Sequence, residues 1–345
     1  MCVDDSPEYN PHRLLHDLGS VEQLLLEPVD TVTITTLIDN SLDLFMPNQG
    51  PAHRVPPTMS PSVPCAVMTD REVPDALIAE HGFSVLVSVT KGPAVHRVLF
   101  DAGASPNGVV ENMRRLDVDL STIEAIVCSH GHFDHVAGLA GLLTALGPRN
   151  MPLLIHPHFW RRRRVMLPGR DPLELPTTSQ SALRDGGFDV IEAAQPSFLL
   201  ANSVLITGEV PRLSGYEPGF PVQQAWLDGH WEPDPLVLDD QALIVNVRDR
   251  GLIVITGCGH AGVVNIGRYA TQLTGGQPLH ALMGGFHLNG PLFEPLIPQV
   301  LTDLAALAPA ALIPAHCTGW RAQHAMAAKF DEAFIPNAVG SRYIF

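Results

Sequence analysis

Apolar positions along the chain fall into short blocks, none reaching the roughly 18 residues that a membrane span requires. "TVTITTLIDN" (31–40), "FSVLVSVT" (83–90) and "HRVLFDAGA" (96–104) are rich in β-branched and apolar residues and predict strands, the last two joined through Lys91 and Gly92. "VVENMRRLDV" predicts a helix, "IEAIVCS" a strand and "VAGLAGLLTALG" a helix packed on the sheet. The second half repeats this rhythm. "PLLIHPHFW" reads as strand and turn, and residues 189–210 supply short strands. "QALIVNVRDRGLIVITGCGH" reads as a hairpin turning at Asp249–Gly251. "AGVVNIGRYATQL" and "FEPLIPQVLTDLAALA" are helical, and "LHALMGGFHL" and "AALIPAHCTGW" are strands. Strands paired early and alternating with helices later predict an α/β fold of two sheets sandwiched between helices. Residues 1–30 read as a weakly helical leader, and 31–345 as one domain. The Pro- and Ser-rich stretch at about 42–75 reads as a loop or insertion able to roof a pocket.

One block breaks the apolar pattern. "CSHGHFDHVAGL" (128–139) sets three histidines and an aspartate directly after a buried strand. His130 and His132, two apart on an extended segment, leave the same face and can meet one ion. Asp134 and His135 follow where the chain turns into a helix, aimed at a neighbouring point. Imidazole with carboxylate suits zinc, and also iron or manganese. His260, His287 and His316 likewise follow strand-like runs, where α/β folds build their sites.

The run "HGHFDH" resembles the His-x-His-x-Asp-His signature of the metallo-β-lactamase-fold superfamily, and "LFDAG" resembles its upstream strand ending in an aspartate, here Asp101. "TTLIDN", "AEHGFSVLV", "DDQALIV", "ITGCGHAGVVNI", "GGFHL" and "PAHCTGW" resemble a subgroup labelled dihydropterin-ribofuranosylaminobenzene-phosphate synthase-like. The resemblance implies an αββα sandwich, two mixed sheets flanked by helices, with one or two metals along one sheet edge. It implies that His130 and His132 bind the first metal, Asp134 and His135 the second, and that His316 completes the second. The aspartate that usually bridges both metals is replaced here by Cys258, either a thiolate ligand or an inert buried cysteine. The histidine usually found about twenty residues before that strand is missing from "LDDQAL", which leaves Asp239, Asp240 or His260 for its role.

Composition narrows the chemistry further. Acidic residues outnumber basic ones 36 to 21, a formal charge of −15, which argues against general nucleic-acid binding. Five scattered cysteines are unlike a disulfide framework, and the first residues lack a secretory signal pattern, so a cytoplasmic protein with no membrane association is expected. No phosphate loop or dinucleotide fingerprint is present. Asp134, His260 and His287 are the expected catalytic groups: Asp134 to orient a nucleophile, His260 as ligand or base, and His287 as a substrate-facing acid or hydrogen-bond donor. Asp101 is expected to fix the imidazoles from behind. Arg161 to Arg164 either recognise an anionic substrate or form a helix face paired with acidic neighbours. Glu209 and Arg212 in "GEVPR" are further substrate-facing candidates, and Phe220, Trp226 and Trp231 candidate pocket walls.

The leading expectation is a hydrolase with one or two Zn2+ ions (Mn2+ or Fe2+ as alternatives), acting on a small anionic phosphoester or lactone/ester. The other readings are a pterin-linked synthase or transferase, an iron-dependent redox enzyme and a metal-binding scaffold. A small molecule is the expected partner, with homo-oligomerisation open.

Overall fold

The computed structural model describes residues 23–55 and 61–345. One mixed sheet of eight strands runs, edge to edge, through Phe188–Glu192, Met151–Ile155, Ala125–Val127, Ala94–Phe100, Ser84–Lys91, Thr31–Ile38, Arg342–Ile344 and Ala52–His53. A second, of six, runs through Ser197–Leu199, Val204–Ile206, Ala242–Val247, Gly251–Thr256, Leu279–Gly285 and Ala311–Ala315.

The apolar blocks are near-continuous because each strand is covered on both faces. In Gly251–Thr256, Ile253 and Ile255 point between the sheets, where they meet Ile34, Val87, Phe100, Val245 and Ile313. Leu252 and Val254 point outward and pack under the helices Val263–Leu273, Ile297–Leu307 and Trp320–Phe330. On the other side Leu99, Ile126 and Leu153 pack under the helices Gly108–Arg115 and Leu139–Leu146. The result is the expected αββα sandwich.

Three expectations are revised. Residues 1–22 of the leader lie outside the described residues, and residues 23–30 are extended rather than helical, because Leu26 and Val29 are drawn into the apolar layers and Val29 bridges to Val247. The insertion is not one long loop. Ala52–His53 extends the first sheet beside Arg342–Ile344, and Ser62–Pro64 pairs with Glu72–Pro74. The four arginines do not form a helix face: Arg163–Val165 is a strand of a separate four-stranded sheet with Leu173–Glu174, Gln223–Leu227 and His230–Pro233. Extended backbone sends Arg163 inward and Arg162 outward.

In the first sheet the neighbouring strands Ala94–Phe100, Ala125–Val127 and Met151–Ile155 run parallel, as do Gly251–Thr256, Leu279–Gly285 and Ala311–Ala315 in the second. Their C-terminal ends share one edge, where Gln241 N donates to Ser129 O at 3.0 Å and ties the two sheets together. Among the described residues no helix is long and apolar enough to cross a membrane.

Candidate metal centre

Two buried donor clusters stand at that edge. His130, His132 and His260 form one; Asp134, His135, Cys258 and His316 form the other, and within each cluster the donor atoms lie within 4.8 Å of one another. Gly131 lets the first pair form, since any side chain there would collide with Phe159 O. His130 Nε2 lies 2.9 Å from His132 Nδ1, and His260 sets its ring edge-on, 4.9 Å from that of His130 and 5.0 Å from that of His132. In the second cluster His135 Nε2 is 3.1 Å from Cys258 Sγ, and His316 Nε2 is 3.3 Å from Asp134 Oδ2. The clusters adjoin: the His130 and His135 rings are 4.4 Å apart.

The far side of each ring is held. Asp101 is fully buried and accepts from Ser129 N at 2.6 Å and Ser129 Oγ at 2.8 Å, while His135 Nδ1 lies 2.6 Å from its Oδ2. Ser129 Oγ lies 2.9 Å from His130 Nδ1, and Gln223 Oε1 lies 2.6 Å from His132 Nε2. His316 is clamped from a distance of 276 residues: Asn40 Oδ1 lies 3.0 Å from its Nδ1, Asn40 Nδ2 donates to its carbonyl at 3.2 Å, and Asp39 Oδ1 accepts from its N–H at 2.8 Å. Such outer partners fix which ring nitrogen is left to ligate.

Electrostatics fits the same use. Burial lowers the basicity of His130 and His260, with neighbouring imidazoles adding to the effect, and lowers His132 and His316 to about 4. Four rings are therefore neutral, as ligands must be. Burial opposes ionisation of Asp134, but His135, His316 and His132 outweigh it and hold the carboxyl well below the usual carboxylate range. Burial also opposes protonation of His135, yet Asp101 and Asp134 outweigh it and lift the ring to about 9. Both ring nitrogens of His260 are buried without a hydrogen-bond partner. Orphaned, convergent nitrogens with a carboxylate and a thiol are a donor set that fits divalent metal.

The sequence model for the metallo-beta-lactamase superfamily matches residues 79–268, more than half of the chain. The chain belongs to the metallo-beta-lactamase superfamily. Within that superfamily it is similar to a metal-dependent hydrolase of known structure, with a TM-score of 0.66 and 22% identity, covering 90% of this chain and 98% of the other; at that identity the likeness shows the fold. It is also 26% identical over 266 residues to the 7,8-dihydropterin-6-methyl-4-(beta-D-ribofuranosyl)-aminobenzene-5'-phosphate synthase of Methanocaldococcus jannaschii, covering 74% of this chain and 87% of the synthase. An uncharacterized protein of the same organism is 28% identical over 257 residues, covering 74% of this chain and 91% of its own length.

Of the three groups open for the missing superfamily histidine, the structure brings His260 to His130 and His132. Asp239 instead receives Arg163 and Gly131 N, and Asp240 accepts from Ala261 N at 2.8 Å. Burial raises Asp240 to about 7. His287 stands beside the first cluster, its ring 4.3 Å from that of His260 and flanked by Phe220 and Phe293.

The substrate candidates are occupied by the protein itself. Arg161 pairs with Asp234 at 2.7 Å, and Arg164 bonds Gln224 and stacks over Trp231. Arg212 donates to the carbonyls of Val210, Ala261 and Leu236. Glu209 lies 3.3 Å from His156 Nε2.

Sequence reasoning missed Asp39, Asn40, His81, Ser129 and Gln223. His81, largely exposed, places Nε2 3.5 Å from Asp134 Oδ2 at the mouth of the second cluster. The signal for Asn40 and His81 was their position at the ends of "TTLIDN" and before "GFSVLV"; Gln223 had none.

Proposed function

We propose that this chain is a metal-dependent hydrolase of small anionic phosphoesters or lactone/esters. The observation that carries the reading is the pair of adjoining donor clusters, one of three histidines and one of Asp134, His135, Cys258 and His316, at the shared edge of the sheets. His130, His132 and His260 would hold a first divalent ion, and the other four a second. Bound divalent ions supply Lewis acidity and lower the pKa of water towards about 7. Ionised Asp134 at the mouth orients the attacking water by accepting its hydrogen bond. His287, lowered to about 3 chiefly by burial, stays neutral, so a hydrogen-bond donor to substrate fits it better than a charged acid. Phe220, 5.5 Å from the His260 ring and nearly parallel to it, excludes water from the first cluster.

One observation favours a second reading. The likeness to the synthase of Methanocaldococcus jannaschii extends over 87% of that protein, which makes a pterin-linked condensation the alternative. An iron-dependent redox role on the same donors is the third.

Purified protein loaded separately with Zn2+, Mn2+ or Fe2+ is to be offered p-nitrophenyl phosphate, a bis-p-nitrophenyl diester, a p-nitrophenyl ester and a lactone. Metal-dependent turnover of one class, abolished in His132→Ala, supports the hydrolase. Inactivity on all four, with formation of the pterin-aminobenzene product, refutes it in favour of the synthase.

A further inference from the structure

Cys317 follows His316 on a short turn, and its thiol donates to the carbonyl of Cys258 at 3.3 Å. A Cβ built on Gly285 would fall 2.7 Å from Cys317 Sγ and 3.1 Å from Cys258 Cα, so glycine alone leaves the two cysteines room to meet. Cys258 is buried against His135, whereas Cys317 is half-buried and reachable from solvent. Cys128, by contrast, is sealed in the outer core, and Cys65 sits on the insertion.

We propose that Cys258 and Cys317 are an oxidation site, closed to a disulfide by a peroxide, which withdraws the Cys258 sulfur from the metal donors. This rests on the proposed centre for its consequence, though not for the bond itself. The Cys317 sulfur attacks the peroxide O–O bond, giving a sulfenic acid and, from hydrogen peroxide, one water. The Cys258 sulfur then attacks the Cys317 sulfur, the S–O bond breaks and a second water leaves. Two thiols lose two electrons and two protons; the peroxide gains them. The new S–S bond, about 2 Å long, cannot leave Cys258 a free thiolate for His135's cluster.

The test exposes zinc-loaded protein to hydrogen peroxide, then maps linkages in a non-reducing digest and follows metal release with a chromogenic chelator. The expected result is a Cys258–Cys317 linked peptide, release of about one metal equivalent per linkage, and activity lost at least about tenfold and restored by dithiothreitol. Cys317→Ser should keep its metal under the same exposure, and the wild-type mapping stands if that variant fails to fold. No linked peptide, or a linked peptide with all metal retained, overturns the proposal. A linked peptide in protein that never bound metal supports the thiol pairing and refutes the proposed function instead.

Discussion

Replacing Asp101 by Asn tests whether the second cluster is a metal site tuned from behind. Asp101 is fully buried, has its backbone at φ 61, and contacts Ser129 N, Ser129 Oγ and His135 Nδ1, all within 2.8 Å. Asn tolerates that left-handed backbone and can still accept from Ser129 N, so the local fold should survive. Its amide N–H2 cannot accept the His135 Nδ1–H bond, so His135 is driven to the other tautomer, with Nε2 protonated and unable to ligate. Loss of such an outer partner costs about 10–100-fold in metal affinity, or about 1.5–3 kcal/mol. The assay is competitive chelator titration near about pH 9.5, where proton competition at His135 no longer masks the orientation effect. Isothermal titration in buffers of different ionisation enthalpy counts the protons released. In the wild type near neutral pH the buried Cys258 thiol starts protonated, and so does His135, because Asp101 and Asp134 outweigh burial and raise it to about 9; loading therefore expels the thiol proton and, in addition, one proton from His135. In the variant burial dominates, the ring starts neutral, and that proton disappears from the count. Affinity within about twofold of wild type, with an unchanged proton count, would refute the reasoning.

Three other expectations follow from the same geometry. His260→Ala should lower metal stoichiometry by about one equivalent while the second cluster stays loaded; plasma emission analysis showing undiminished stoichiometry would place His260 outside the centre. Arg163→Met leaves the Asp239 carboxylate buried without its guanidinium and Asp234 with Arg161 alone, and should cost about 3–5 kcal/mol in denaturant unfolding; a loss below about 1 kcal/mol would make the ion pairs incidental. In metal-free protein the raised His135 contributes stability that is fully present below about pH 6.5 and lost as pH rises through about 9, while its displaced proton makes metal affinity rise across the same window by up to about tenfold per pH unit, on top of the slope from the Cys258 thiol. Affinity that is flat over that window would contradict a protonated resting His135.

The strands and the four layers were legible because strands covered on both faces leave continuous apolar runs, and "HGHFDH" was legible because four donors in six positions have no packing use at a strand end. What escaped was whatever depends on partners distant in sequence. Asn40 clamps His316 across 276 residues, and although its place at a strand end is visible, nothing near either residue announces the pairing. Gln223 reaches His132 from the four-stranded sheet, which has no apolar run of its own to announce it. The arginine run misled for a related reason. Four like charges look solvated, but Arg163 is buried between Asp234 and Asp239, carboxylates more than seventy positions away, and pairing rather than local pattern fixed its place.

The tips of the strands carry the strain that the interior avoids. Asp101, His287 and His316 all have positive φ, near 61°, 45° and 45°, in the region that residues with a Cβ seldom occupy. All three stand at the donor clusters or directly beside them. Local hydrogen bonds offset the cost: Ser84 Oγ donates to Asp101 O at 2.8 Å, and Asp39 and Asn40 hold both backbone ends of His316. A left-handed residue at the end of a strand turns its side chain out of the pleat, and that turn lets donors from separate strands face one another instead of the core. The arrangement is therefore fixed before any ion arrives. Binding then needs the loss of protons from His135 and the Cys258 thiol rather than an ordering of loops, which is why outer partners such as Asp101, and not the insertion, are the places where metal affinity should be most sensitive to substitution.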